Sequence, residues 1–325
     1  MARRKNELNK REVKEIREES YVPSLSFKDA FALFVEDCEV KNLRSHTIRY
    51  YTNELRAFHK TLREYQLTTD ITEFSKSDLK EYIKIQRDAE HKITSINTRL
   101  RAIRAFFNFL TREGYIEKEN NPVANLKLLK DRQKVVQTYT NSEIKELFKV
   151  PNQSTFTGVR DLTIMMLFLE TGARANELIN IKVSNIDFSN NRILLTNTKG
   201  YKQRFVPIQK NMQKQLQKYL NLRGQLHHDY LWINIDNEPL AKHTLMINVS
   251  NYGKEIGIRA TCHKFRHTFG RIAAENGASI FEIQAILGHS SLEMVKHYVN
   301  LFSNDVIKKH ESFSPIEKLK GGNNR

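Results

Sequence analysis

The stretch TSINTRLRAIRAFFNFLTREGY, residues 94–115, constrains the fold most. Ile96, Leu100, Ile103, Phe107 and Leu110 recur at intervals of three and four, the period of a helix with one buried stripe. Gly114 supplies the stop. On another face lie Asn97, Arg101, Arg104 and Asn108. A helix of this length cannot hide its stripe alone, so partner helices must precede or follow it.

Three precede it. In SLSFKDAFALFVEDC, Ser26 and Asp29 stand at capping-box spacing ahead of Phe27, Phe31, Phe34, Val35 and Cys38. A second helix from about Ser45 buries Ile48, Tyr51, Leu55, Phe58 and Leu62. A third, capped by Ser75 and Asp78, carries Leu79, Tyr82 and Ile83. Together they predict a four-helix domain over residues 24–115, a usual size for a small domain. Residues 1–23 read as a basic tail. Residues 116–139, with Pro122 and little amphipathic period, read as a linker.

A second domain, residues 140–325, opens on TNSEIKELF with a capping box through Thr140 and Glu143. An apolar helix, VRDLTIMMLFLETG, follows. The alternating stretch SNIDFSNNRILLTNTKGYKQRFVPI then predicts short strands with turns at Asn190-Asn191 and Gly200. Helices dominate from there on. The fold class is therefore mainly α, with a small β-sheet in the second domain.

Of the 325 residues, 53 are Lys or Arg and 37 Asp or Glu, a net charge of +16 that favours a polyanionic partner. The longest apolar run, Leu162 to Leu169, is far short of the roughly 20 residues of a membrane span, which leaves nucleic acid rather than a membrane. The opening MARRKNELNKREVKEIREES lacks the apolar core of a signal peptide, and Cys38 and Cys262 sketch neither a disulfide framework nor a zinc site. A cytoplasmic protein is expected. The positive charge is concentrated in two acid-free runs. One, Lys92 to Arg112, offers Arg99, Arg101 and Arg104 as candidate DNA contacts; the other, Lys199 to Lys218, offers Lys202 and Arg204.

Four stretches of the second domain carry candidate chemistry, and each has an ordinary structural reading beside it. In TGARANELINI, Arg174 and Glu177 share a helical face, as any intrahelical ion pair would. In NTKGYKQRFVPI, Lys199 beside Gly200 reaches a phosphate or is simply solvated. In CHKFRHTFGR, His263 and Arg266 suit a phosphate, which guanidinium binds as a fork. His263 and His267 have zinc spacing, but Lys264 stands where the metalloprotease pattern needs Glu, and no third ligand is at hand. In GHSSLEMVKHYVN, His289 lies in a turn and Tyr298 reads as a half-buried aromatic.

In this order, Arg, Lys, His-x-x-Arg, His and Tyr resemble the tyrosine recombinases, or phage integrase family. The resemblance spans roughly Ser26 to Asn300 and rests on TGARANEL, TKGYKQRFVP, HKFRHTF and LGHSSLEMVKHY. It implies that the four-helix unit is the family's SAM-like core-binding domain and that the second domain is catalytic. By position it makes Arg174, Lys199, His263, Arg266, His289 and Tyr298 the catalytic set, with Tyr298 as nucleophile and Glu177 in support. Ala173 and Ala175-Asn176 depart from the family's usual residues, at packing positions.

The implied reaction is site-specific cleavage and rejoining of DNA through a 3′-phosphotyrosine, by the integrase or transposase of a bacterial mobile element. Xer-type dimer resolution, a topoisomerase-like activity and a non-catalytic DNA-binding regulator are the alternatives. The implied partners are duplex DNA with paired half-sites and further copies of the chain, a dimer per site and a tetramer in the synapse. The tail after Tyr298 would serve those protomer contacts. No metal, nucleotide or other cofactor is called for.

Overall fold

A computed structural model describes residues 25–131, 137–196 and 203–288. The chain divides into two compact units, Met1–Gln133 and Lys134–Arg325.

In the first unit four helices form where the caps and stripes require them: α1 (Phe27–Val40), α2 (Ser45–Glu64), α3 (Lys76–Asp88) and α4 (Ile93–Arg112). Ser26 Oγ accepts the Asp29 N–H at 3.2 Å, and Ser75 and Asp78 close a reciprocal box ahead of α3. The buried line of α1 is Phe27, Ala30, Phe34 and Cys38, while Phe31 and Val35, expected on that face, are only half-buried. Aromatic rings fill the centre. Phe58 meets Tyr82 edge-on at 5.0 Å and Phe34 meets Phe106 at 5.6 Å.

The polar face of α4 departs from expectation. Asn97 is buried, donating to the Leu129 carbonyl at 2.9 Å and accepting the Leu129 N–H at 2.8 Å. Asn108 accepts from Asn121 at 3.2 Å, and Arg104 donates to the Leu126 carbonyl. Ile116 and Val123 join the core of this unit. The stretch 116–129, which the sequence offers as linker, thus packs on α4, where Asn97 and Arg104 satisfy backbone groups of Leu129 and Leu126.

The second unit runs α5 (Asn141–Lys149), α6 (Phe156–Thr171), α7 (Ala175–Ile179), an antiparallel sheet, then α8 (Lys210–Arg223), α9 (Lys242–Glu255), α10 (Cys262–Glu275) and α11 (Ile280–Leu287). The sheet is β1 (Ile186–Asp187), β2 (Arg192–Leu195) and β3 (Arg204–Pro207), with Ile193 opposite Val206 and Leu195 opposite Arg204. Asn191, at φ 55°, makes the first turn, and Ile193 and Leu195 point inward with the period of two. Helix α6 is apolar nearly all round and is accordingly buried in the middle of the unit, where Phe168 stacks on Phe265 of α10 at 6.0 Å. Lys210, Lys214 and Lys218 lie on the solvent face of α8.

Candidate active site

The site is assembled at helix ends. Helix α6 stops at Gly172, left-handed at φ 59°, and the chain turns through buried Ala173 to Arg174, the N-cap of α7. One turn on, Glu177 reaches back. Its Oε2 accepts the Arg174 backbone N–H at 2.8 Å, and its Oε1 accepts Nη1 of the Arg174 side chain at 2.8 Å. The i,i+3 spacing therefore makes an ion pair, but not a surface one, since the Glu177 side chain is only 1% exposed against 29% for Arg174.

The second cation on Glu177 comes from β3. Arg204 grips the carboxylate with Nη1 at 3.1 Å and Nη2 at 2.8 Å, and its Nε donates to the Ile286 carbonyl at 2.7 Å. Burial alone would raise the Glu177 carboxyl; the guanidinium of Arg204, the Arg174 N–H and the Arg174 side chain outweigh it and hold the group below the usual carboxylate range. The basic run Lys199 to Lys218 offers Arg204 as a DNA contact. The structure corrects this: its side chain is 12% exposed and its fork is turned inward onto Glu177.

Helix α10 brings His263 and Arg266, with Thr261 as N-cap. Arg266 is buried at 2% exposure, its Nη1 donating to the Gly172 carbonyl at 2.7 Å and its Nη2 to the Leu287 carbonyl at 2.8 Å. It so ties the end of α6 to the end of α11. His263 is exposed, and its ring meets the His267 ring edge-on at 4.3 Å. Desolvation by its surroundings, then the charges of Arg266 and Arg174, push its pKa below the ordinary histidine value, so the ring is neutral at neutral pH. No group of three metal-ligating side chains occurs among the described residues.

Tyr139 anchors this arrangement, and no motif marks it in the sequence. Buried, it accepts the Thr261 N–H on its hydroxyl at 2.8 Å and donates to the Thr261 carbonyl at 3.2 Å, while its own N–H donates to Thr268 at 2.9 Å. These bonds fix the first turns of the helix that carries His263 and Arg266.

Arg174, Glu177, His263 and Arg266 thus gather in one place, although Arg174 and Arg266 are 92 residues apart. Lys199, Lys202, His289, Tyr298 and the tail lie outside the described residues. Of the candidate contacts on α4, Arg99 is bound to Glu54 at 3.1 Å and to Gln86, and Arg104 to Leu126; both are taken up inside their unit, and Arg101 alone of the three is exposed.

The second helical unit thus presents Arg174 and the His-x-x-Arg of His263 and Arg266 at converging helix ends. Residues 137–305 match the model of the phage integrase family, and residues 32–114 match that of the phage integrase N-terminal SAM-like domain. The chain belongs to the phage integrase family, the tyrosine recombinases. It is similar to tyrosine recombinase XerA of Pyrococcus horikoshii, 27% identical over 90% of this chain and 96% of that protein. Tyrosine recombinase XerC of Staphylococcus aureus is 28% identical over 86% of this chain and 93% of its own length. The fold matches the solved Tn1549 transposon integrase in complex with transposon right end DNA, with a TM-score of 0.71 at 16% identity over 88% of this chain and 99% of that one. The chain is thus an enzyme of site-specific DNA recombination. Among the described residues no helix is long and apolar enough to cross a membrane.

Proposed function

We propose that the chain cleaves and rejoins DNA by transesterification, with Tyr298 as nucleophile. The Tyr298 phenol oxygen attacks the scissile phosphorus and loses its proton to the imidazole of His263, whose depressed pKa keeps the ring unprotonated and so able to accept it. The bond from phosphorus to the 5′ oxygen breaks, and Lys199 protonates the departing oxygen. The enzyme is left joined to the 3′ phosphate. A 5′ hydroxyl from a second strand reverses the step and restores the tyrosine. Arg174 and Arg266 hold the non-bridging oxygens and offset the charge of the pentacoordinate transition state; His289 donates a further hydrogen bond. The observation that carries this reading is the buried anchoring of Arg266 between the Gly172 and Leu287 carbonyls, beside Arg174 on Glu177 and neutral His263. A guanidinium held this way keeps a fixed position at the site.

The substrate is duplex DNA with paired half-sites in a bacterial cytoplasm. Recombining two duplexes requires four cleavages, hence a dimer on each site and a tetramer in the synapse, with the chain after Tyr298 docking on the neighbouring protomer. Integration, excision or transposition of a mobile element is the favoured role. Xer-type resolution of chromosome or plasmid dimers is the second reading, supported by the similarity to XerA and XerC over most of their lengths. The test is incubation with a nicked duplex whose cleavage releases a short strand and traps the ester. Wild-type protein should run as a covalent adduct on a denaturing gel, and Tyr298→Phe should bind the site with unchanged affinity but form none. A wild-type protein that leaves no adduct on any genomic fragment it binds would end the proposal.

A further inference from the structure

Two arginines share one buried carboxylate at the site. Oε1 of Glu177 accepts from Arg174 Nη1 and Arg204 Nη1, and Oε2 from the Arg174 backbone and Arg204 Nη2. The two cations are not equivalent. Arg204 is packed inward, while Arg174 is the one that reaches solvent. Glu177 is needed where it stands, because it caps α7 and orients the Arg174 side chain. It also has a cost. A lone carboxylate in contact with Arg174 would cancel the charge that a phosphate is to meet.

We infer that Arg204 is a positioning residue whose task is to neutralise Glu177, leaving the charge of Arg174 available to the scissile phosphate. With Arg204 present, the trio carries one net positive charge, located at its solvent edge. Without it, Arg174 and Glu177 are a neutral pair. The fork matters as well as the charge. Both Nη atoms are taken by the two carboxylate oxygens and Nε by the Ile286 carbonyl, a set that an ammonium cannot fill in that geometry. The guanidinium also lies against Gly288, where an added Cβ would come within 2.9 Å of Nη1, and Arg174 Nη2 reaches the Gly288 carbonyl at 3.4 Å. Arg204 therefore supports Arg174 from two sides, through the carboxylate and through the chain leaving α11.

The inference rests on the reading that Arg174 meets the phosphate, and a double-variant cycle separates the two. Single-turnover cleavage of the nicked duplex is measured for wild type, Arg204→Gln, Arg204→Lys, Glu177→Gln and the Glu177→Gln/Arg204→Gln pair, with half-site affinity by gel shift. Arg204→Gln should slow cleavage on the order of a hundredfold, while affinity stays within about threefold because many other contacts hold the DNA. Arg204→Lys, which keeps the charge, should recover part of the rate. The pair should cleave about tenfold faster than Arg204→Gln alone, since removing the unopposed carboxylate returns the charge of Arg174. A pair as slow as the single variant, or slower, overturns the inference.

Should Arg204→Gln not fold, the pair is compared with Glu177→Gln instead. Neutralisation predicts rates within about threefold of each other, whereas a larger further loss on removing Arg204 shows that it acts by other means. Failure of wild-type protein to form any adduct would count against the recombinase mechanism. Wild-type cleavage with a strictly additive cycle would count against the role of Arg204 alone.

Discussion

Replacing Gly172 by alanine tests how tightly the fold is coupled to the site. Gly172 sits at φ 59° and Gly257, in the same unit, at φ 70°, so both substitutions force a side chain into the left-handed region. That strain costs about 1–2 kcal/mol at either position. Their surroundings differ. A Cβ on Gly257 meets nothing within 4 Å, whereas on Gly172 it would come within 2.5 Å of Leu287 Cδ2 and 2.8 Å of Phe269 Cδ1. Overpacking of this kind adds about 1–3 kcal/mol, so Gly172→Ala should cost about 2–5 kcal/mol in all. Urea unfolding followed by the fluorescence of Trp232 reads this directly, because the chain has one tryptophan and it is buried in the second unit. In thermal melts the gap between the two variants should be about 2–12 °C for a unit of this size. The Gly172 and Leu287 carbonyls also accept hydrogen bonds from Arg266, so cleavage by Gly172→Ala should fall further than its folded fraction explains. Equal destabilisation by the two alanines would refute the packing argument, and full activity in folded Gly172→Ala would refute the coupling to Arg266.

Other outcomes follow from the same site. His263 has a folded pKa below its unfolded value of about 6.5, so the folded chain binds fewer protons there than the unfolded chain does once the pH drops through that value. The second unit should therefore lose stability as the pH falls below about 6.5 until the folded pKa is passed, and His263→Asn should flatten that part of the curve in urea titrations; an unchanged slope would contradict the assignment. Lys199→Ala should slow cleavage far more than binding, and a substrate with sulfur in place of the 5′ leaving oxygen, which needs little protonation, should restore most of the rate. Persistence of the defect with the sulfur substrate would remove Lys199 as the acid.

What was legible in the sequence was local. Ser26 with Asp29, Ser75 with Asp78 and Thr140 with Glu143 are three residues apart, and a cap that close is decided by the chain itself. Arg174 and Glu177 were legible as a pair for the same reason. The third member of that cluster was not, because Arg204 is 27 residues away and a basic run looks the same whether its arginines meet phosphates or a buried carboxylate. The polar face of α4 misled in the same way. Arg104 looks like a contact for DNA until residues 121–129 are folded over that face. Tyr139 left no trace, since its role depends on Thr261 and Thr268, more than 120 residues on.

The central claim is that one tyrosine, Tyr298, carries the cleaved strand by its 3′ phosphate. The most direct measurement is to trap the adduct on a nicked duplex labelled at either end, digest the protein, and identify the DNA-linked peptide by mass spectrometry. The account predicts a single modified peptide containing Tyr298, joined to the strand whose 5′ end is labelled, with a free 5′ hydroxyl on the released piece. Attachment at any other residue, or a protein joined through the 5′ phosphate, would contradict it.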